Sequence, residues 1–571
     1  MRTVGQAGLV DPRVRRGLVR RVLLLAGALA LTSCARCGPP PAGSAEELLS
    51  PEFSAAVASE PLAKYGNFIL MTLAVLDPTP LADSSREVVD QLGKELGFTP
   101  FTREGLLAGG VDPDRDVAVV IQVTPGKRPS WTAAIPLSKA DLFLQKAEAL
   151  LQRRAGLPVR TEEARGDVRA IVYSRVGEPM KVALGVVRGY ALLSRGEDPM
   201  AELAAAQTRD KTKSLATAPL FLWAQKQLAP ARLVGVIAQS AQPAMLRGLR
   251  VPTGDLALGL TRRPQDPDGA VLPDGADGKT IGLTFRAVQK LSLPLGTVLP
   301  EVLPGGLDVL AWVKGAPLRV AAGVRADKLP EVLARTPLAP LVERLRAVLA
   351  DKKIDLDKDV LGSLGDGVAL SAQLSRDANL ALATDPTRMD FAGGALLDVA
   401  DFAVVGVVKD AQKLTAAMDA VMPALATAGI TGTKGVSSLD GKGPEWAFHD
   451  ARGHQICVGV AEEDARAKGP PQVGYLITGK RDVKTLTRPD LSRGRAAASV
   501  SLRVNLDELA REAKALPDSS FGGGPQAMVA RALVTQVLQP WSGFVGAVDV
   551  RVDNELIAID LGILPVPEQR R

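Results

Sequence analysis

Val111-Asp-Pro-Asp-Arg-Asp-Val117 and Ile354-Asp-Leu-Asp-Lys-Asp-Val360 carry one pattern, apolar-Asp-x-Asp-basic-Asp-Val, at positions 243 apart. The segments after each motif also correspond. Trp131-Thr-Ala-Ala-Ile135 precedes a helical stretch with Phe143, Ala147, Leu150 and Leu151 on one face; Phe402-Ala-Val-Val-Gly406 precedes one with Leu414, Met418, Val421 and Met422, each position shifted by 271. Gly189-Tyr190 opens a strand-like run to Asp198, answered by Gly474-Tyr475 and a run to Asp482. Each half then closes on two alternating runs, Leu256–Thr261 with Ile281–Ala287 and Phe544–Val552 with Leu556–Ile563. Matches recurring in one order signal a repeated unit. Period-two runs mixed with period-3.6 runs make the class α+β. The expectation is two tandem homologous copies, each a mainly antiparallel sheet packed with amphipathic helices.

The 571 residues are 46% hydrophobic and 23% charged, which excludes a largely disordered chain and a multi-span membrane protein. Each copy, at 240–270 residues, is long enough to bury a core without staples. The boundary is expected near Leu291-Ser-Leu-Pro-Leu295, giving copies at 49–290 and 291–566. Asp410, and Ser138 with Asp141, are expected to cap the repeated helices. Leu338–Leu349 reads as an amphipathic helix lying on a sheet. Arg263–Gly278 and Asp518–Pro525 read as surface loops.

The formal charge of +6 misleads. Residues 1–33 hold six arginines and one aspartate, so a chain starting at Cys34 has 63 basic and 62 acidic residues. No clustered basic face remains, which argues against a nucleic-acid partner. The arginines belong instead to an export signal. Arg20-Arg21 precede Val22-Leu-Leu-Leu-Ala-Gly-Ala-Leu-Ala-Leu31, followed by small residues. Ten apolar residues rise about 15 Å as a helix, half of a membrane span.

Leu31-Thr32-Ser33-Cys34 resembles the lipobox of bacterial lipoproteins. The resemblance implies removal of residues 1–33, a diacylglyceryl group on the Cys34 thiol and acylation of the new amine. Acyl chains at ~0.8 kcal/mol per buried methylene would make such attachment effectively permanent. Ala35, where inner-membrane retention signals have Asp, implies the outer membrane, facing the periplasm or the cell surface. Residues 34–48, with Pro39-Pro-Pro41, then read as a lipidated tether stiffened into an extended spacer. Cys37 lies in it, and a disulfide to Cys457 is one option; a small buried thiol at Cys457 is the other. The order of segments across residues 50–565 is also similar to that of exported bacterial proteins carrying a duplicated domain of unknown function. That resemblance carries over no functional residue.

The chemical candidates fail in turn. Asp112, Asp114 and Asp116, like Asp355, Asp357 and Asp359, have the odd spacing that opens a calcium loop, but position six is Val117 or Val360 where glycine is required. A helix cap and a solvated turn explain them better. Gly474-Tyr-Leu-Ile-Thr-Gly-Lys480 matches a phosphate loop by letter, yet Arg481 stands where Ser or Thr must reach magnesium. His449 and His454 flank a four-residue turn and read as a cross-strand surface pair, two ligands short of a stable metal site. The corresponding hairpin, Val172–Lys181, has no histidine. No Gly-x-Ser-x-Gly elbow occurs. The expected protein is non-enzymatic, without metal or cofactor, lipid-anchored, and binds a protein or envelope partner through two modules. The alternatives are a carrier of lipids or other apolar ligands and, third, a hydrolase.

Overall fold

The computed structural model describes residues 42–565, except 243–252, 265–280, 292–301, 304–315, 329–342, 379–397, 463–471, 479–497 and a few shorter stretches. The chain divides into two compact units, Met1–Arg262 and Arg263–Arg571.

The first unit holds β1 (Ala55–Ser59), β2 (Ala118–Gln122), β3 (Ser130–Pro136), β4 (Val159–Arg165), β5 (Val168–Ser174), β6 (Lys181–Val187), β7 (Tyr190–Gly196), β8 (Leu233–Ile237) and β9 (Thr253–Pro264). They pair antiparallel in the order β4-β5-β6-β7-β3-β2-β1-β8-β9. Its described helices are α1 (Leu62–Leu76), α2 (Pro80–Leu96), α3 (Arg103–Ala108), α4 (Ala140–Arg154), α5 (Pro199–Thr208) and α6 (Pro219–Leu228). Register fixes the faces. Val119, Ala133, Leu193, Leu184 and Ile171 lie on one rung. They pack against Leu92 and Leu96 of α2 and Phe143, Ala147 and Leu150 of α4, the helix face expected from spacing. On the other face, Leu203 of α5 closes to 2.8 Å of where a Cβ would stand at Gly185, and Leu228 of α6 to 3.0 Å at Gly259. The sheet is therefore covered by helices on both sides.

The second unit holds β10 (Ile281–Leu291), β11 (Leu318–Ala322), β12 (Leu364–Leu374), β13 (Ala400–Val408), β14 (Thr431–Val436), β15 (Pro444–His449), β16 (Gln455–Glu462), β17 (Gln472–Thr478), β18 (Val500–Asn505), β19 (Phe544–Asp553) and β20 (Leu556–Pro565). The described pairings are all antiparallel, in the order β14-β15-β16-β17-β13-β12-β11-β18-β19-β20-β10. Its described helices include α7 (Ala411–Thr427), α8 (Leu506–Ala515) and α9 (Gly524–Leu538). Asp410 caps α7 by accepting the Lys413 N–H at 3.0 Å, as expected. In the first unit α4 starts at Ala140 with Asp141 in its first turn, while the Ser138 and Lys139 N–H groups both donate to Gly110 O. The segment Asp518–Phe521 is not a solvated loop but a 3₁₀ turn whose Phe521 is buried against Leu516 and Ala527, because that aromatic ring plugs the gap between α8 and α9. The Leu338–Leu349 helix falls largely outside the described residues.

The two faces of the second sheet differ in chemistry. One rung reads Trp446, Val458, Leu476, Val404, Leu370, Val320, Leu502, Val548, Leu561, Phe285, apolar across ten strands. The neighbouring rung on the opposite face reads Glu445, Gly459, Tyr475, Val405, Ala369, Ala321, Ser501, Asp549, Asp560, Arg286. Arg286 grips Asp560 with two hydrogen bonds of 2.6 and 2.7 Å, and Arg551 reaches the same carboxylate. Arg503 and Ser501 both donate to Asp549, at 2.9 and 2.7 Å. Burial works to raise the Asp560 carboxyl, but the Arg286 and Arg551 guanidiniums overcome it and hold the acid below its ordinary range.

This packing sets two expectations for stability. Phe143→Ala removes a fully buried ring and is expected to cost about 3–5 kcal/mol, whereas Val176→Ala, at a side chain 84% exposed, stays within about 0.5 kcal/mol of the parent; the first unit's denaturation midpoint reads both. Asp560→Asn strands two guanidiniums and is expected to cost the second unit about 3–5 kcal/mol at neutral pH. Since the folded carboxyl lies below its ordinary value of 3.8, the parent keeps this contribution above that pH and loses it as pH falls further, so the parent–variant gap must close in acid.

Candidate functional site

The residues expected to form the far end of the tether are seated in the first unit. Ala42, Ala45, Leu48 and Leu49 are buried, and Ala45–Leu48 form a 3₁₀ turn. This corrects the expected tether at 34–48: from Ala42 onward the chain is folded, because Leu48 and Leu49 gain more from burial than a solvated spacer offers. The Leu49 carbonyl accepts the Leu215 N–H at 3.0 Å, and the Ala42 N–H donates to Arg188 O at 3.0 Å. Arg188 and Gly189, with φ of 48° and 83°, form the two-residue turn between β6 and β7, the geometry that favours glycine.

Side chains complete the seat. Arg115 donates to Ala42 O and lies 4.1 Å over the Tyr190 ring; Arg209 donates to Leu48 O. Lys211 pairs with Glu47 at 2.9 Å. Asp116 is the hub: Oδ2 accepts the Ala45 N–H at 2.9 Å and Oδ1 accepts the Tyr190 hydroxyl at 3.2 Å. Beside it, burial first, then the charge and hydrogen bond of Asp116, push the Glu46 carboxyl up to about 7. Burial pushes the Tyr190 phenol up as well, so it stays a donor. Burial also opposes Glu47 ionisation, but the Lys211 ammonium and the Gly43 N–H win and hold that carboxyl below its usual range.

The sequence singled out Asp116 and Tyr190 but assigned neither to this site, and it missed Glu46, Arg115, Arg209 and Lys211. The legible signal was Leu48-Leu49, an apolar pair too costly to leave in a solvated linker.

The other aspartates hold local structure. Asp112 Oδ1 accepts the Asp114 N–H at 3.0 Å, and Asp114 takes two 2.6 Å hydrogen bonds from Arg103. Asp355 caps the turn Leu356–Val360 by accepting the Asp357 and Lys358 N–H groups at 2.9 and 3.1 Å. Asp357 takes two 3.0 Å hydrogen bonds from Arg346, and Asp359 accepts the Asp355 N–H. Among the described residues no group of three His, Cys, Asp or Glu could hold a metal ion.

Gly474–Thr478 run extended inside β17, where a phosphate loop would need a turn; Gly479 and Lys480 lie outside the described residues. His449 is exposed and faces Gln455 across β15 and β16, and His454 is likewise outside them. Cys457 is a free, half-buried thiol on β16, raised by burial and by Glu445; Cys34 and Cys37 fall outside the described residues. Gly189-Tyr190 and Gly474-Tyr475 match by letter but not by place. Tyr190 faces Pro136 at the end of β3, while Tyr475 faces Val405 inside β13 and lies over Gly459 to reach Glu445 and Ser437.

A pocket of about 150 Å³ in the first unit is lined by Trp131, Thr132, Ser194, Arg195, Glu197, Asp198 and Glu202 among others. Its size and polarity do not suit an acyl chain, and its acids are engaged, Asp198 with Arg165, Glu197 with Lys127 and Glu202 with Arg209. No protein-family model, curated protein or solved structure matches this chain.

The seat has a pH signature. With Glu46 raised from 4.5 to about 7, the folded form holds a proton that the released segment gives up, so the seat is tightest below about pH 4.5 and loosens as pH rises to about 7. Amide exchange of Ala45–Leu49, corrected for intrinsic rates, should accelerate across that window in the parent and stay level in Glu46→Gln. Equal pH profiles would overturn the assignment.

Proposed function

We propose that this chain is a non-enzymatic bacterial lipoprotein of the outer membrane, attached through acyl chains on Cys34 and built from two copies of one α+β module that together form a binding or scaffold surface. The observation that carries the attachment reading is the seat. Ala42 lies eight positions after Cys34, a reach of at most about 28 Å, so the first described residues are tied close to the acylated cysteine. A short leash ending in a built socket suits a protein held against a bilayer.

Duplication is supported by three independent features. With β10 set aside, and strands counted from β1 in the first unit and from β11 in the second, the order is the same: the fourth to seventh strands, then the third, second and first, then those after the seventh. A helix comes after the third strand in each. Arg103–Asp114 and Arg346–Asp357 repeat one ion pair, at eleven-residue spacing and the same 243-residue offset as the aspartate motif. The Gly-Tyr match adds nothing to this. The structural use of the repeated acids, Asp112 and Asp355 accepting backbone N–H groups and Asp114 and Asp357 pairing with arginine, supports a binding role.

Growth with labelled palmitate is the direct test. The wild-type chain should incorporate label and sediment with outer membranes; Cys34→Ser should lose both. A Cys34→Ser chain that still carries label, or an unlabelled wild type, would overturn the anchor.

A further inference from the structure

The pocket of about 150 Å³ in the first unit lies on the face of the sheet that α5 covers. Val120, Thr132 and Ser194 form one rung of β2, β3 and β7 and make its floor. Leu203 of α5 lies over Gly185 on this same face. Trp131 packs with the core on the other side of the sheet, and Arg195 stands opposite it in register. Thr132 and Ser194, 6 and 1% exposed, share a 2.9 Å hydrogen bond in which either hydroxyl can donate. Two hydroxyls carry two protons, and the bond between them uses one. The second proton has no acceptor among the described residues. A buried donor left unmet costs about 1–3 kcal/mol, so a group inside the pocket must take it.

We propose that this pocket binds one ring of a neutral sugar. The walls supply acceptors to match the spare proton on the floor. Asp198 caps α5 through Oδ1, which accepts the Ala201 N–H at 3.2 Å, and takes Arg165 on Oδ2 at 2.7 Å; each oxygen retains a lone pair. Glu202 meets Arg209 at 3.6 Å, an ion pair too long to saturate its oxygens. Glu197 pairs with Lys127 at 3.4 Å. These three acids are balanced by three cations, so the α5 side of the pocket has no net charge to draw an ion. A hydroxyl both donates and accepts, which is what such a lining requires. An apolar ligand would strand the buried proton instead. Val120 and Pro199 add apolar surface for the C–H groups of a ring. The size agrees, since an apolar cavity of about 150 Å³ takes up benzene, a ring of six atoms. Gly196 keeps the space open: a Cβ there would stand 3.6 Å from Ser130 Cβ, an ordinary contact. This binding does not depend on acylation at Cys34.

The test is saturation-transfer NMR on the unacylated chain from Ala35 onward, which keeps both units whole, with glucose and N-acetylglucosamine as probes. At least one of the two should give a saturable signal. Gly196→Val puts a side chain into the pocket and should weaken binding at least tenfold. Thr132→Val with Ser194→Ala removes both hydroxyls and should do the same; replacing both partners of a buried hydrogen bond by apolar groups is nearly neutral for folding, so this variant reads the pocket even if the first fails to fold. Acetate and methylammonium should leave the sugar signal in place. No saturable signal from either sugar would mean that the pocket holds water only and would overturn the proposal. Folded variants that bind as the parent does, or a sugar displaced by either ion, would overturn it as well. Because the chain tested lacks Cys34, the outcome is independent of palmitate labelling.

Discussion

Both units depend on one demand: a short strand early in each unit must find partners on both sides. β1 is five residues long and lies inside its sheet, with β2 on one edge and β8 on the other. β11 sits likewise between β12 and β18. A central strand cannot leave its N–H and C=O groups to solvent, so neither sheet is complete until residues some 175–185 positions apart have met. Such long-range pairing is slow to form and cooperative once made. It explains why the segments between strands can vary so much. The sheet holds its order whether α5 and α6 come after β7 in the first unit, or α8 and α9 precede β19 in the second.

The sheets differ in how they meet the alternation of faces. In the first unit helices cover both sides, and apolar or small residues fill both. In the second, the described helices that touch the apolar rung leave the other rung to small and charged residues. Those charges are bound into sets: Arg286 and Arg551 on Asp560, Arg503 and Ser501 on Asp549. Buried pairs of this kind add little net stability over apolar packing, but losing one member is costly. They therefore act as register pins, since a slip of one residue would face Asp549 and Asp560 onto the apolar rung.

The seat at residues 42–49 applies the same logic to a terminus. Its backbone groups are satisfied by Arg115, Arg188, Arg209, Leu215 and Asp116, which come from four separated stretches of the chain. Glu46 beside Asp116 gives it a proton-dependent grip. The aspartate motif is used differently in the two units: the first acid accepts backbone N–H groups in both and the middle one holds an arginine eleven residues upstream in both, while the third grips the seat in the first unit and the Asp355 N–H in the second.

Much of the fold was legible because its signals are local. Alternation marked β3, β13, β16, β19 and β20, and spacing of Phe143, Ala147 and Leu150 marked the inward face of α4. Acids ahead of an apolar run marked a cap, and Asp355 is one. Letter matches without a partner in space misled: Gly189 belongs to a tight turn and Gly474 to a strand, because only the register of neighbouring strands says which rung a residue holds. The tether reading went wrong at Leu48-Leu49 for the same reason, as the pocket that buries them is made by residues near 190 and 209–215. Sequence alone determined which segments are strands or helices and which face of each is apolar, since those depend on residues within a few positions. Tertiary structure alone decided what each apolar face meets, including the seat that receives residues 42–49, because burial is settled by surfaces that the chain brings together from far apart.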